Sequence, residues 1–171
     1  MPVTISLTID RISASAPSEA GSRFGWARQG GGAIAGDERY RLRFGSFEAS
    51  GDALLWAGHA VLGEHHLPSA GSALLCNFAD VAPEAEEEFN AWYDREHVPR
   101  LSALPGVERV TRYRSESAGP AYLALFELAC QDIARGEAWL EAARTPWTAR
   151  MKPFTRGFRS YIFGPVSARP Q

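Results

Sequence analysis

The chain has 171 residues, of which 45% are hydrophobic and 22% are charged, so it can bury a core in one domain of ordinary size. That composition excludes a disordered tail, a collagen-like repeat and a disulfide-stapled miniprotein. The formal net charge is −2, so no net positive field favours nucleic acid. Lys152 is the only lysine for phosphate-loop or Schiff-base chemistry.

The first 70 residues predict a β-rich N-terminal extension. The run Gly30–Gly36 fits neither GxGxxG nor a Walker loop, and no helical pattern follows it, so it is interpreted as a flexible turn. The segment Pro68–Gly71 marks the predicted boundary with a second part, residues 71–171. Strand-like runs in the extension are Val3–Ile12, Tyr40–Glu48 and Ala53–Leu62.

The second part predicts an α+β, ferredoxin-like domain with the order β-α-β-β-α-β and an antiparallel sheet. Pro83 fits the first position of a helix, and the glutamates after it favour the positive end of the helix dipole. Pro99 predicts that this helix ends or kinks near Val98. Thr145 is the expected cap of a helical turn that begins at Pro146. The other expected elements are strands at Ala73–Ala79, Val107–Ser115, Tyr122–Ala129 and Phe158–Val166, and a helical region at about Asp132–Ala143.

The predicted strands of this second part are apolar on both faces. Leu74, Cys76 and Phe78 alternate with the equally apolar Leu75 on the first of them. Helices cover only one face of such a sheet, so the other face needs a second cover. Either a partner subunit or the N-terminal strands could provide it.

Three linked motifs stand in the second part. They are Glu88-Phe-Asn-Ala-Trp-Tyr-Asp-Arg-Glu-His-Val-Pro-Arg-Leu, then Leu-Pro-Gly-Val, and then Arg112-Tyr113 with Tyr122-Leu-Ala-Leu-Phe-Glu-Leu. This set resembles the dimeric α/β-barrel superfamily, and within it the EthD-like proteins, over about residues 71–166. The resemblance implies a homodimer joined through the open sheet faces. The superfamily includes monooxygenases, isomerases, cyclases, lyases, dehydratases and haem-handling enzymes, so it does not select one reaction.

His97 is the leading candidate for a catalytic residue. Phe89, Trp92 and Tyr93 define an inward arc at helical spacing, and His97 falls near its centre. In an aromatic-lined cavity, His97 could move a proton near neutral pH, with Tyr93 donating a hydrogen bond to a substrate oxygen and Trp92 and Phe89 as walls. The alternative is a core histidine bonded to a backbone carbonyl, among aromatic residues that only pack. The catalytic interpretation depends on a void beside this ring.

The strands and the second helical region supply further candidate substrate contacts. Arg112 could bind an anionic group with its planar guanidinium. Arg112 and Tyr113 are neighbours on a strand, so they cannot share one face. The alternative to substrate contact is a purely structural role, with the arginine exposed, the tyrosines at an interface and the tryptophan in the core. The candidates are Arg112, Tyr113, Tyr122 and Trp147.

Other polar residues are interpreted as solvated. Adjacent helical residues do not face each other, so neither Asp94 nor Glu96 is an obvious orienting carboxylate for His97. Both are expected to be surface charges paired with Arg95 or Arg100. Adjacent histidines in an extended segment point apart, so a metal site is not predicted for the group His59, Glu64, His65 and His66. Cys76 and Cys130 lie in no zinc-binding pattern.

Three functions are compatible with these residues. The first is a cofactor-independent enzyme that acts on a small hydrophobic or aromatic molecule by proton transfer, as a lyase, isomerase, dehydratase or cyclase. The second is a monooxygenase, either cofactor-free or with haem bound through His97, and the third is a non-catalytic binding or assembly module. No signal peptide or membrane-spanning run is evident, so we expect a cytoplasmic protein.

Overall fold

The computed structural model describes residues 4–13, 15–16, 19–28, 33–45, 51–115 and 119–167. The fold is α+β, with one antiparallel sheet and a helical layer. Eight strands lie in these residues: β1 (Thr4–Ile12), β2 (Arg23–Arg28), β3 (Ile34–Phe44), β4 (Leu54–Leu62), β5 (Ala73–Val81), β6 (Val107–Arg114), β7 (Tyr122–Leu128) and β8 (Thr155–Val166). The α-helices are α1 (Glu86–Trp92), α2 (Val98–Ser102), α3 (Glu137–Ala143) and α4 (Pro146–Met151).

The eight strands form a closed barrel. Its order is β1-β3-β2-β8-β5-β7-β6-β4, so strands from both parts of the chain share one sheet. Two antiparallel pairs, β2 with β8 and β4 with β6, join the N-terminal strands to the C-terminal ones. The boundary predicted at Pro68–Gly71 falls in the connection between β4 and β5, and the division into domains stays a prediction.

The barrel interior is filled by side chains from both parts of the chain. Ile5, Leu7 and Trp56 of the N-terminal strands pack against Cys76 and Phe78 of β5. The sequence allowed either a partner subunit or the N-terminal strands to cover the second sheet face. In the structure, the N-terminal strands of the same chain cover it. They occupy the face through which a homodimer was expected to join, and dimerisation itself stays a prediction.

The helical layer covers the outer face of the C-terminal strands. Leu75 and Phe126 point outward from the sheet and pack beneath Phe89, Leu101 and Trp139 of the helices. Each of these five side chains is at most 5% exposed, so this layer forms a second core outside the barrel. No helix in the described part of the chain is long and apolar enough to cross a membrane.

The prediction from the sequence did not include β2, and it placed the start of β3 at Tyr40 rather than at Ile34. Gly25 lies in the middle of β2, where glycine weakens the strand signal. A Cβ placed there would lie 1.8 Å from the carbonyl oxygen of Ile162, so the close approach of β2 to β8 requires glycine. β3 begins at Ile34, inside the stretch interpreted as a turn, and it includes Gly36 at φ 74°. Residues 30–32 of that stretch, and residues 46–48 of the predicted strand Tyr40–Glu48, lie outside the described residues.

Of the two outcomes predicted near Val98, an end or a kink, the helical segment does not end there, and a π turn interrupts the regular α-helix just before Val98. The segment starts as a 3-10 turn at Pro83–Ala85, runs through α1, and continues after Pro99 to the end of α2. Between α1 and α2 the backbone forms a π turn at Tyr93–His97, in which the N–H of Val98 donates to the carbonyl of Tyr93. This wider turn lies just before Pro99, where a regular α-helix would crowd the proline ring.

The predicted cap of the last helix is confirmed. Thr145 has an extended backbone, Pro146 is the first residue of α4, and the Thr145 hydroxyl accepts a hydrogen bond of 3.0 Å from the N–H of Thr148. The expected helical region at 132–143 is a 3-10 turn, Gln131–Arg135, followed by α3.

Candidate functional site

Six of the eight candidate site residues come together between the helical layer and the outer face of the sheet. α1 and the π turn supply four of them, and β6 and β7 supply one each. They are Phe89, Trp92, Tyr93, His97, Arg112 and Tyr122, here called the His97 cluster. The other two, Tyr113 and Trp147, lie elsewhere.

The rings of the His97 cluster are in direct contact. Phe89 is central, with its ring centroid 5.1 Å from that of Tyr93 and 5.4 Å from that of Tyr122. Trp92 lies 4.6 Å from Tyr93. The indole N–H of Trp92 donates to the hydroxyl of Thr148 over 3.2 Å and so ties α1 to α4. These contacts fix the aromatic wall against which His97 lies.

The His97 ring is partly buried between two aromatic side chains. Its centroid lies 4.4 Å from that of Trp92, with the planes tilted by 36°, and 5.2 Å from that of Tyr93 in an edge-on arrangement. Burial, and secondly the positive charge of Arg112, lowers the pKa of His97 to about 4, so the imidazole is neutral at pH 7. No hydrogen bond joins its ring nitrogens to a described residue, and neither nitrogen is among the fully buried unpartnered atoms of the described residues, so the ring edge reaches the surface.

Arg112 is a buried cation with specific partners. Its guanidinium lies 4.0 Å from the centroid of the Tyr93 ring. One amino group donates to Asp94 over 3.1 Å and the other donates to the Asn90 side-chain oxygen over 2.9 Å. Burial is the largest influence on this group and lowers the pKa of Arg112, while the negative charge of Asp94 opposes that shift. The site therefore holds a fixed positive charge beside a neutral imidazole.

The predicted pairing of Asp94 and Glu96 with Arg95 or Arg100 is wrong, although Asp94 is exposed as expected. Asp94 pairs with Arg112, and Glu96 accepts a hydrogen bond from the Thr145 hydroxyl. The Asp94 side chain reaches Arg112 while it stays 46% exposed, so this ion pair lies at the edge of the site.

A line of hydrogen bonds connects Arg112 to the surface. The Asn90 amide donates to the Tyr122 hydroxyl over 3.1 Å, and that hydroxyl donates to Glu86 over 2.6 Å. The bond from Tyr122 is the main reason that the pKa of Glu86 is lowered. Sequence reasoning missed Glu86, Asn90 and Asp94 as members of the site. Their spacing of four residues, which places them on one helix face, is the signal that could have identified them.

Tyr113 faces the barrel interior, as the alternation between Arg112 and Tyr113 requires. It is fully buried, and its hydroxyl lies 3.5 Å from Nδ1 of His65. Trp147 lies on α4 with the Arg150 guanidinium 5.5 Å from its ring, and its buried indole N–H has no hydrogen-bond partner among the described residues. Neither residue touches the His97 ring.

The segment with adjacent histidines is not a solvated loop. Nε2 of His66 bonds directly to the carboxylate of Glu127, which is 5% exposed and also accepts the N–H of Ser69 over 2.9 Å. Nδ1 of His66 lies 3.0 Å from the carbonyl of Glu64. The two histidines point to different partners, and within the described ranges no three side chains of the metal-binding types lie close enough to hold an ion.

Two cavities lined by described residues lie away from the His97 cluster. A groove of about 460 Å³ lies at one end of β1 and β3, between Arg11, Ser13 and Glu38. A cavity of about 240 Å³ lies where β2 and β8 meet the 3-10 turn at Gln131–Arg135. The void beside His97 on which the catalytic interpretation depends is neither of these two cavities, and a molecule at His97 would contact the exposed part of the ring.

Comparison with solved structures shows the fold. The chain is similar to a major regulator of staphylococcal pathogenesis, with a TM-score of 0.54 and 10% sequence identity over 95% of this chain and 99% of that one. It is also similar to a putative monooxygenase from Fusobacterium nucleatum, with a TM-score of 0.54 and 11% identity over 97% of this chain and 94% of that one. The sequence matches no protein-family model and no curated protein.

Proposed function

We propose that the protein is a cofactor-independent enzyme that acts on a small hydrophobic or aromatic molecule by proton transfer at His97. The observation that carries this proposal is the His97 imidazole itself. It is neutral, lies between Trp92 and Tyr93, and has ring nitrogens without a hydrogen-bond partner among the described residues. A polar group of this kind in an aromatic setting is a ready partner for a ligand O–H or activated C–H.

The surroundings of His97 define its chemistry. The neutral ring offers a nitrogen lone pair to a substrate proton. Burial and the Arg112 charge, which lower the pKa of His97 to about 4, oppose uptake of that proton and favour its return. Return to another atom of the substrate gives an isomerisation, and return to a leaving group gives an elimination. Burial raises the pKa of Tyr93, which keeps its hydroxyl protonated as a hydrogen-bond donor.

The aromatic side chains around His97 indicate the class of substrate. Trp92, Tyr93 and Phe89 present ring faces and edges that favour an apolar or aromatic body. Arg112 is already engaged by Asp94 and Asn90, so it acts on a developing negative charge through its field. A phenol, an enolisable aromatic ketone or a similar weak acid fits this combination.

A second candidate is a monooxygenase that works without a cofactor or with haem. The name of the Fusobacterium protein of similar fold supports it, as does the neutral state of His97, which is the form that ligates haem iron. Oxygen uptake with a phenol, or a Soret band in purified protein, would select this candidate. A non-catalytic binding module would show neither of these nor proton exchange.

We also keep, as part of this proposal, the more detailed predictions made from the sequence. These are the ferredoxin-like arrangement and the EthD-like relationship of residues 71–166, a homodimer, a cytoplasmic location, and no nucleic-acid or membrane partner. The element order from β5 to β8 supports the first of them. Light scattering at micromolar concentration tests the homodimer.

Hydrogen–deuterium exchange at substrate carbon tests the proposed proton transfer directly, whichever product the full reaction forms. Phenols and enolisable aromatic ketones are incubated with the protein in D2O, and loss of substrate C–H signals is followed by proton NMR. The proposal expects catalysed exchange with at least one compound. It expects a loss of about 10²-fold or more in His97→Gln, within the range for one acid–base group.

The matched control is Arg95→Gln, which changes an exposed residue of the same π turn and should leave the exchange rate unchanged. A folded His97→Gln protein with full exchange activity would overturn the role of His97. Absence of exchange with the whole panel, together with binding of the same compounds, would leave the binding module as the function.

A further inference from the structure

The cavity of about 240 Å³ lies at the opposite margin of the helical layer from the His97 cluster. It shares no residue with that cluster, and the proposed function does not use it. Three strands and one 3-10 turn contribute to its walls. The lining residues are Trp26 of β2, Ile34 of β3, Ile162 of β8, and Gln131 and Arg135 of the turn.

An irregularity in the sheet opens this cavity. On β2, Trp26 pairs with Arg39 of β3, whereas Arg28 pairs with Ile34, so a step of two residues on β2 corresponds to five on β3. The additional residues of β3 include Gly36, whose φ of 74° is in the left-handed region. These residues have no partners on β2, and the cavity lies beside this stretch, between Trp26 and Ile34. Bulges of this type are frequent next to binding sites.

One wall of the cavity is flat and apolar. Trp26 is directly paired with Ile162 across β2 and β8, so both side chains point outward into the cavity. Ile162 is 1% exposed, and Trp26 and Ile34 are partly buried. A tryptophan face next to two isoleucines favours a planar hydrocarbon group.

The other wall carries positive charge. Arg135 borders the cavity, and its side chain is half exposed and paired with Asp132 at the surface. Arg28 donates to the carbonyl of Ala134 over 2.6 Å, which places a second guanidinium next to Arg135. Burial, and secondly the charge of Arg135, lowers the pKa of Arg28 to about 10, so Arg28 stays cationic at neutral pH. A bound anion would relieve the repulsion between them.

We propose that this cavity is a binding site for a small aromatic monocarboxylate, with the ring against Trp26 and Ile162 and the carboxylate toward Arg135. Gln131 offers an amide N–H to the same carboxylate. A volume of about 240 Å³ accepts a single-ring acid and is smaller than the cavities of about 300–1,000 Å³ that hold drug-sized ligands. The site lies apart from His97, so its occupant need not be the substrate.

Benzoate is the probe for this site, and the indole N–H signal of Trp26 is the reporter. Trp26→Phe assigns that signal in a proton–nitrogen NMR spectrum. We expect benzoate to shift it saturably, and we expect benzamide, which has the same shape without the charge, to bind at least about fivefold more weakly. Arg135→Gln should weaken benzoate binding by about the same factor, whereas Arg156→Gln, at an exposed arginine of β8, should not.

Three outcomes would overturn the proposal. One is an unmoved Trp26 signal up to about 10 mM benzoate, which exceeds the Kd of even a weak millimolar site. Another is equal binding of benzoate by the wild-type protein and the folded Arg135→Gln variant, or equal binding of benzoate and benzamide. The third is loss of the Trp26 shift in His97→Gln, which would assign the ligand to the His97 cluster.

Discussion

Arg28 and Arg112 lie on the same transverse row of the barrel, at opposite margins of the helical layer. Arg28 pairs with Ser160, Ser160 with Asn77, Asn77 with Ala124, and Ala124 with Arg112. Four interstrand steps of about 4.8 Å separate the two arginines by roughly 19 Å along the sheet. The Ser160 hydroxyl donates to Asn77 within this row over 2.6 Å. Arg112 supplies the positive charge beside His97, and Arg28 lies next to Arg135, which borders the second site.

Replacing Arg112 should raise the pKa of His97. The variant Arg112→Met keeps a long apolar stem against Tyr93 and removes the charge that disfavours the imidazolium, while burial continues to lower the pKa. A proton NMR titration of the His97 ring signals in both proteins measures the change. A pKa of His97 that stays the same or falls in Arg112→Met would contradict the coupling.

His97 should make the protein less stable in mild acid. Its pKa is about 4 in the folded state and 6.5 as the unperturbed value, so the unfolded chain binds more protons between these pH values. The contribution of His97 is therefore fully present above pH 6.5 and is lost as the pH falls from 6.5 to about 4. A shift of this size corresponds to at most about 3 kcal/mol.

Urea unfolding at neutral pH and at pH near 5 measures this contribution. His97→Gln has no imidazole to titrate, so the free energy of unfolding of the variant should fall less between the two pH values than that of the wild-type protein. An identical fall in the two proteins would show that other groups cause the acid sensitivity.

Gly25→Ala should severely destabilise the fold. The new methyl group would lie 1.8 Å from the carbonyl oxygen of Ile162, and backbone on both sides would have to move. Because β2 and β8 close the barrel at this point, we expect a loss of about 3 kcal/mol or more in the free energy of unfolding. Urea denaturation checks the value.

Gly71→Ala is the matched control for that substitution. A Cβ at Gly71 meets no atom within 4 Å, so its effect should stay within about 0.5 kcal/mol. Equal stability losses in the two variants would mean that close contact at Gly25 is not what makes glycine necessary there.

Thr145→Ala should cost about 1 kcal/mol of stability, a usual value for loss of a helix cap. Its hydroxyl accepts the N–H of Thr148 and donates to Glu96, so the substitution frees the start of α4 and the contact to the π turn. Thr145→Ser retains the hydroxyl and should restore most of the loss in a thermal or urea unfolding experiment. Equal stability of the alanine and serine variants would contradict the capping role.

Much of the His97 cluster could be predicted because it depends on local rules. Helical spacing places Phe89, Trp92 and Tyr93 on one side of the segment, and strand alternation separates Arg112 from Tyr113. The remaining features depend on tertiary contacts. Strand β2 contains Gly25, which lowers strand propensity but is required by the approach of Ile162.

The partners of the charged residues could not be predicted in the same way. The pairing of Asp94 with Arg112 depends on how the helical segment is rotated over β6, and the π turn at 93–97 alters that rotation. The cavity beside Trp26 depends on the mismatch in pairing between β2 and β3, which no local pattern encodes. Sequence patterns therefore define the elements better than the polar contacts between them.

Both sets of four strands in the barrel belong to one polypeptide, and this has a consequence for assembly. The N-terminal strands meet the C-terminal sheet at a high effective concentration, so the barrel closes independently of dilution. Since the two sets of strands differ in sequence, a substitution in one set is not repeated in the other. One barrel can thus carry two dissimilar sites, where a barrel built from identical chains would duplicate each.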